Sequence, residues 1–191
     1  AFKHSSSTML DLGTLGGTNA WANGVSADGA VIVGYSHIAG DTALHAFKFS
    51  GSTMTDLGTL GGTRSGATSV SADGSVIVGG SYIVGDAVTH AFKYSGSTMT
   101  DLGTLGGTDS VAFGVSADGS VIVGSSALVG DRERHAFKYI GTTMTDLGTL
   151  GGTSSDASSV SANGSVIVGY SHTTGDASQH AVKWAGLAKT D

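Results

Sequence analysis

The chain of 191 residues has no Cys, no Pro, 32 Gly, 13% charged residues and a formal net charge of −6. It can build neither a disulfide scaffold nor a Cys-ligated zinc site, and its apolar runs are too short for a membrane-spanning helix. Its few Lys and Arg form no basic cluster of the kind that holds nucleic acid or an anionic bilayer.

The octapeptide DLGTLGGT starts at Asp11 and recurs at Asp56, Asp101 and Asp146. Four units follow without insertion or deletion, at 1–45, 46–90, 91–135 and 136–180. Residues 181–191, AVKWAGLAKTD, match AFKYSGSTMTD from Ala91 and open a fifth unit. Residue 1 falls inside a unit, so any targeting segment is expected outside the given chain. Residues 1–191 read as a single repeat domain, because units of this length stack into arrays whose members cannot bury their faces alone.

In chain order, each unit predicts short extended segments between turn signals. The second unit shows TMTDLG from Thr53, the Gly-rich TLGGT, ATSVSAD from Ala67, an Asp73-Gly74 turn and SVIVGG from Ser75, with HAFKYS crossing the next junction from His90 to Ser95. No ten-residue segment has a helical period, so the class is all-β. Asp-Gly between extended runs predicts a tight hairpin with both central residues at positive φ. Four strands in about 45 residues predict a four-bladed β-propeller; a β-solenoid or an open array of blades is the alternative. Val76, Ile77 and Val78 suit a sheet covered on both faces, and the small residues of ATSVSA suit the crowded strand nearest the axis. In a closed ring, residues 1 to 13 would supply the two outer strands of the last blade, which the tail from Ala181 also offers. One of the two must then be displaced: either the tail lies elsewhere, or the N-terminal strands pair with another molecule, or the array continues in a longer parent chain, and open edges could template strand addition.

The junction HAFK at His45, His90 and His135, with TMTDLGTLGGT and VSADGSVIVG, resembles the HAF repeat of bacterial extracellular proteins and autotransporter passenger regions. The last junction departs, with Val182 in place of Phe. The resemblance implies export to the bacterial surface or medium and brings no enzymatic activity with it.

Constant positions read as structural. Asp28, Asp73 and Asp118 are matched by Asn163, which suits a turn and would damage a metal or acid site. Asp41 with His45, Asp86 with His90, Asp131 with His135 and Asp176 with His180 recur four residues apart. Each Asp is read as capping a loop and each His as bonding at a strand start, since two ligands fall short of a metal site. Asp11, Asp56, Asp101 and Asp146 are read as hydrogen-bonding towards the next blade. GTLGGT has neither G-x-G-x-x-G nor a Lys, so it is no phosphate loop. No nucleophile, base and orienter stand out, so no enzyme, metal or cofactor is predicted.

Variable positions gather after TLGGT and before the constant His, in links expected on one face of the blades. Candidate ligand- or partner-binding residues there are Trp21, Tyr35, His37, Tyr82, Phe113, Arg132, Glu133, Arg134, Tyr170 and His172. Exposed aromatics beside polar groups suit a protein or a sugar. The expected function is a non-enzymatic surface module with a structural or adhesive role, self-assembling through its terminal strands; the alternative is a carbohydrate-binding module using the variable face.

Overall fold

The strands of each unit follow from its alternating pattern and its glycine-marked turns. The computed structural model describes every residue except Ser6 and Leu187. After β1 (Phe2–Ser5) and β2 (Thr8–Asp11), the first blade comprises β3 (Gly16–Val25), β4 (Val31–Ile38), β5 (Leu44–Ser50) and β6 (Thr53–Asp56). The second comprises β7 (Gly61–Val70), β8 (Val76–Ile83), β9 (Thr89–Ser95) and β10 (Thr98–Asp101). The third comprises β11 (Gly106–Val115), β12 (Val121–Leu128), β13 (Arg134–Ile140) and β14 (Thr143–Asp146). The fourth comprises β15 (Gly151–Val160), β16 (Val166–Thr173), β17 (Gln179–Ala185) and β18 (Ala188–Thr190). Each blade is an antiparallel meander in sequence order, and one parallel bridge, Arg134 to Ser154, joins the third sheet to the fourth. No helix among the described residues is long and apolar enough to cross a membrane.

The core lies between blades, because each second strand is apolar on both faces. Ile77 packs with Phe92 and Ala67 against Val31, Val33 and Ala46 of the blade before. Val76, Val78 and Ala91 pack against Ile122 and Phe137 of the blade after. The backbone repeats this stacking at the ADG turns. Ala27 N–H donates to the Ala72 carbonyl, Ala72 to Ala117 and Ala117 to Ala162, at 2.9 to 3.0 Å.

The expected closed propeller does not form; the structure is an open array of blades. The fourth blade completes itself with its own β17 and β18, so residues 1 to 13 are not its outer strands. Instead, among the described residues, β1 and β2 pair only with each other, as a half-blade lying against the first blade through Ala1 and Leu12. The outer face of the fourth blade is consequently bare. Val168 is 44% exposed, whereas its counterparts Val33, Val78 and Val123 are at 0%.

The Asp-Gly turn also differs from its expected form. Gly74 N–H closes on the Ser71 carbonyl at 3.0 Å, so Ala72 and Asp73 are the central pair and only Gly74, with φ 72°, is left-handed. A side-chain bond explains the preference for Asp. Its carboxylate accepts from Ser71 Oγ at 2.6 Å and Ser75 N–H at 3.0 Å, holding Asp73 and Asp118 down at about 2. Asn163 Oδ1 accepts the same bonds in the fourth unit, so the turn needs the oxygen and not the charge.

Candidate functional site

The repeated phrase DLGTLGGT builds the link that crosses from one blade to the next. Asp56 Oδ1 accepts from Gly58 N–H at 2.8 Å, and Thr59 Oγ1 donates to the Gly62 carbonyl at 2.7 Å. Leu60 N–H donates to the buried Ser81 Oγ at 2.8 Å. The last glycine makes room for a carboxylate: a Cβ on Gly62 would lie 2.6 Å from Asp86 Oδ1. That oxygen accepts from Thr63 N–H at 2.6 Å and ties the link to the loop between β8 and β9. Asp41, Asp131 and Asp176 make the equivalent bond to Thr18, Thr108 and Thr153. All four Asp residues sit in the left-handed region, at φ 55° to 57°, a strain short polar side chains tolerate best. The two variable stretches are thus clamped side by side at one edge.

The constant His does not meet the Asp four residues before it. His45, His90, His135 and His180 instead bond Asp56, Asp101, Asp146 and Asp191, each His Nδ1 lying 2.7 to 2.9 Å from a carboxylate oxygen. The geometry of β5 and β6 explains this, because the β5–β6 hairpin carries Asp56 back beside the start of β5. Among the described residues, no three His, Asp or Glu side chains converge in a way that could hold a metal ion.

The structure distributes the predicted partner-binding residues over the clamped edge and the inner strands. Trp21 and Tyr35 are cross-strand partners stacked at 5.1 Å between ring centroids, and the His37 ring stands edge-on to Trp21 at 5.9 Å. Tyr35 and Tyr82 line a groove of about 240 Å³ running across the first three blades, together with Asn23, Arg64 and Thr68. Phe113 and Tyr170 meet in a second cleft of about 300 Å³ with Asp156 and Ser158. The Asp156 carboxylate beside it pushes the Tyr170 phenol up to about 12. His172 lies 3.3 Å from Asp176 and 3.4 Å from Ser154 Oγ. Arg132 and Glu133 stand in the exposed turn before β13, and Arg134 reaches back to Ser125 Oγ at 3.4 Å.

Sequence reading passed over four residues here. Val84 and Val129 are exposed at 80% and 84%, at the tips of neighbouring loops. Apolar loop tips beside the Gly-Asp pair were the available signal. Asn23 and Arg64 lay inside the variable stretch but carry no aromatic ring.

At two junctions an inner-strand residue faces a second-strand residue of the blade before, with glycine on one side. A Cβ on Gly66 would rest 3.6 Å from the Tyr35 ring, and one on Gly80 would rest 3.5 Å from Val111. Large residues therefore lie over glycine across each of these two junctions.

These features define a class: an all-β array of four-stranded antiparallel blades stacked face to face, with a uniform turn edge and an individualised loop edge. No protein-family model matches the chain, and no curated protein matches it, so the resemblance to the HAF repeat rests on the motifs alone. Among solved structures the chain is similar to TolB from Acinetobacter baumannii, with a TM-score of 0.62 and 15% identity over 87% of this chain. It is also similar to a putative TolB from Agrobacterium tumefaciens, with a TM-score of 0.65 and 17% identity over 90% of this chain. At such identities the likeness is one of fold. The chain spans 41% and 61% of those two proteins.

Proposed function

We propose that this chain is a non-enzymatic protein-interaction module whose loop edge and inner-strand groove receive the partner. One observation carries the reading: residues that differ between otherwise near-identical units gather on one edge and groove, while the turns at the opposite edge repeat. Rigid scaffolds that present binding loops have this asymmetry. Half-exposed Tyr35 and Tyr82 beside Arg64 supply the residue types on which binding energy concentrates, and Val84 and Val129 add apolar knobs. The resemblance to the HAF repeat adds an extracellular or cell-surface location and a structural or adhesive role to the proposal.

The test is a screen of the chain against arrayed surface and secreted proteins, with Arg64→Ala/Tyr82→Ala and the turn-edge control Ser52→Ala. Binding lost in the first variant and kept in the second supports the reading; equal loss in both, or none in either, refutes it. Carbohydrate binding is a second reading, favoured by the open Trp21–Tyr35 stack. Glycan-array binding abolished by Trp21→Ala would establish it in place of the first.

A further inference from the structure

The two ends of the array carry the two halves of one interface. At the C-terminal end Val168, Tyr170, Ala181 and Lys183 are exposed on the outer face of the fourth blade. A groove of about 380 Å³ runs there along β16 and β17. Ala46, Ala91 and Ala136, the counterparts of Ala181, are wholly buried under the next blade. At the other end Ala22 and Val25 of β3 are exposed, although Ala67, Ala112 and Ala157 at the matching position are at 0%. A cleft of about 360 Å³ opens there between the half-blade and β3, where the inner strands of a preceding blade would run.

We propose that the bare face of the fourth blade docks on the first blade of a second copy of this chain, with β17 and β18 of one copy replacing β1 and β2 of the other. The backbone and core layers of this interface are those already formed three times within the chain, while along the inner strand it sets Tyr170 against Trp21, a pairing that no internal junction has. It is heterologous, with unlike faces meeting, and repeats head to tail. The backbone ladder at the ADG turns continues across it, because among the described residues Ala162 N–H and the Ala27 carbonyl are its two unused ends. Ser158 stands where Asn23 and Thr68 reach the next blade's Ala67 and Ala112 carbonyls, and so meets Ala22 of the second copy.

Lysines mark the exchange. Lys3 Nζ donates to the Gly29 carbonyl at 2.6 Å, and Lys48 Nζ donates to Gly74 at 3.4 Å across the next junction. Lys183 occupies the same position in the repeat and takes over the Gly29 carbonyl of the second copy when Lys3 leaves. The half-blade is suited to leaving: it is two strands wide, its residues are mostly exposed, and it fills only part of the face. This docking uses the stacked faces of the sheets and is independent of partner binding at the loop edge.

The experiment is sedimentation velocity of the 191-residue chain over a concentration series, beside Val168→Asp, Lys183→Ala and Lys3→Ala. The wild type is expected to form integer multiples of the monomer mass that grow with concentration. Val168→Asp, altering a side chain already in solvent, is expected to remain monomeric with an unchanged thermal melt. Lys183→Ala is expected to weaken association roughly tenfold, the scale of one hydrogen bond from a charged donor; Lys3→Ala is expected to strengthen it by freeing the half-blade. A wild type that stays monomeric throughout, or assemblies indifferent to both Val168→Asp and Lys183→Ala, would overturn the proposal.

Discussion

Ser110 offers the sharpest probe of how the blades are held together. Its Oγ lies between the second and third blades, fully buried, accepting from Ala91 N–H at 2.8 Å and donating to the Gly103 carbonyl at 2.6 Å. Ser110→Ala removes both bonds without filling space. The Ala91 N–H is left in a dry interior, which costs about 1–3 kcal/mol. The Gly103 carbonyl, partly open to water, adds about 0.5–1 kcal/mol. A total near 3 kcal/mol corresponds to a fall in Tm of about 6–12 °C for a chain of this size. The loss falls on one junction, and a stacked array is stable through its nearest-neighbour interfaces, so the two halves of the molecule should also unfold less coherently. Trp184, wholly buried in the fourth blade with its indole N–H on the Leu147 carbonyl at 3.1 Å, reports on the C-terminal half in a Trp21→Phe background. Urea unfolding followed by Trp184 fluorescence and by far-UV circular dichroism should coincide in that background and separate when Ser110→Ala is added. A destabilisation under about 0.5 kcal/mol with coincident transitions would show that the serine clamps are ornamental.

Three further outcomes are expected. Asp28, Asp73 and Asp118 all have folded-state pKa values below the ordinary 3.8, held down first by the Ser hydroxyl two residues before each. The contribution of Asp73 and Asp118 is present above pH 4 and lost as the pH falls towards 2, so Asp73→Asn/Asp118→Asn should match the wild type at pH 7 and lose less stability over that interval in acid titrations. Gly124→Ala would drive its Cβ into the Val111 carbonyl oxygen and to 2.9 Å from the Phe137 ring; overpacking of this kind costs about 1–3 kcal/mol or more, and a Tm within 2 °C of wild type would contradict the close approach. Ultraviolet titration should find the Tyr170 phenol ionising near 12 and returning towards 10 in Asp156→Asn.

The strands were legible because each unit writes its strands and turns in four near-identical copies. VIV marks the doubly covered second strand, HAFK the third and TMTD the outermost. The pairing of His45 with Asp56 was hidden, because it depends on a hairpin register that brings residues eleven apart together, while the nearer Asp41 bonds backbone across 23 residues. Ring closure was beyond the pattern for another reason. A repeat fixes how one blade sits on the next, but whether the last meets the first depends on the rotation accumulated at each junction, which no single residue encodes. The groove was half legible: Tyr35 and Tyr82 stood out as aromatic, whereas Arg64 and Asn23 acquire meaning only once three inner strands lie side by side.

The size matching at these two junctions of the inner strands bears on how such a chain can change its length. Because every unit has 45 residues and the same two faces, recombination between copies can remove or add whole units without disturbing a turn or a core layer. Order is a different matter. Loss of the second unit would set Tyr35 against Val111 in place of Gly66, and duplication of the third would set Val111 against Ser125 in place of Gly80. Units are interchangeable in their outer strands and individually addressed along the inner ones, so an array lengthened by copying must re-fit a few side chains beside the groove before its new neighbours close.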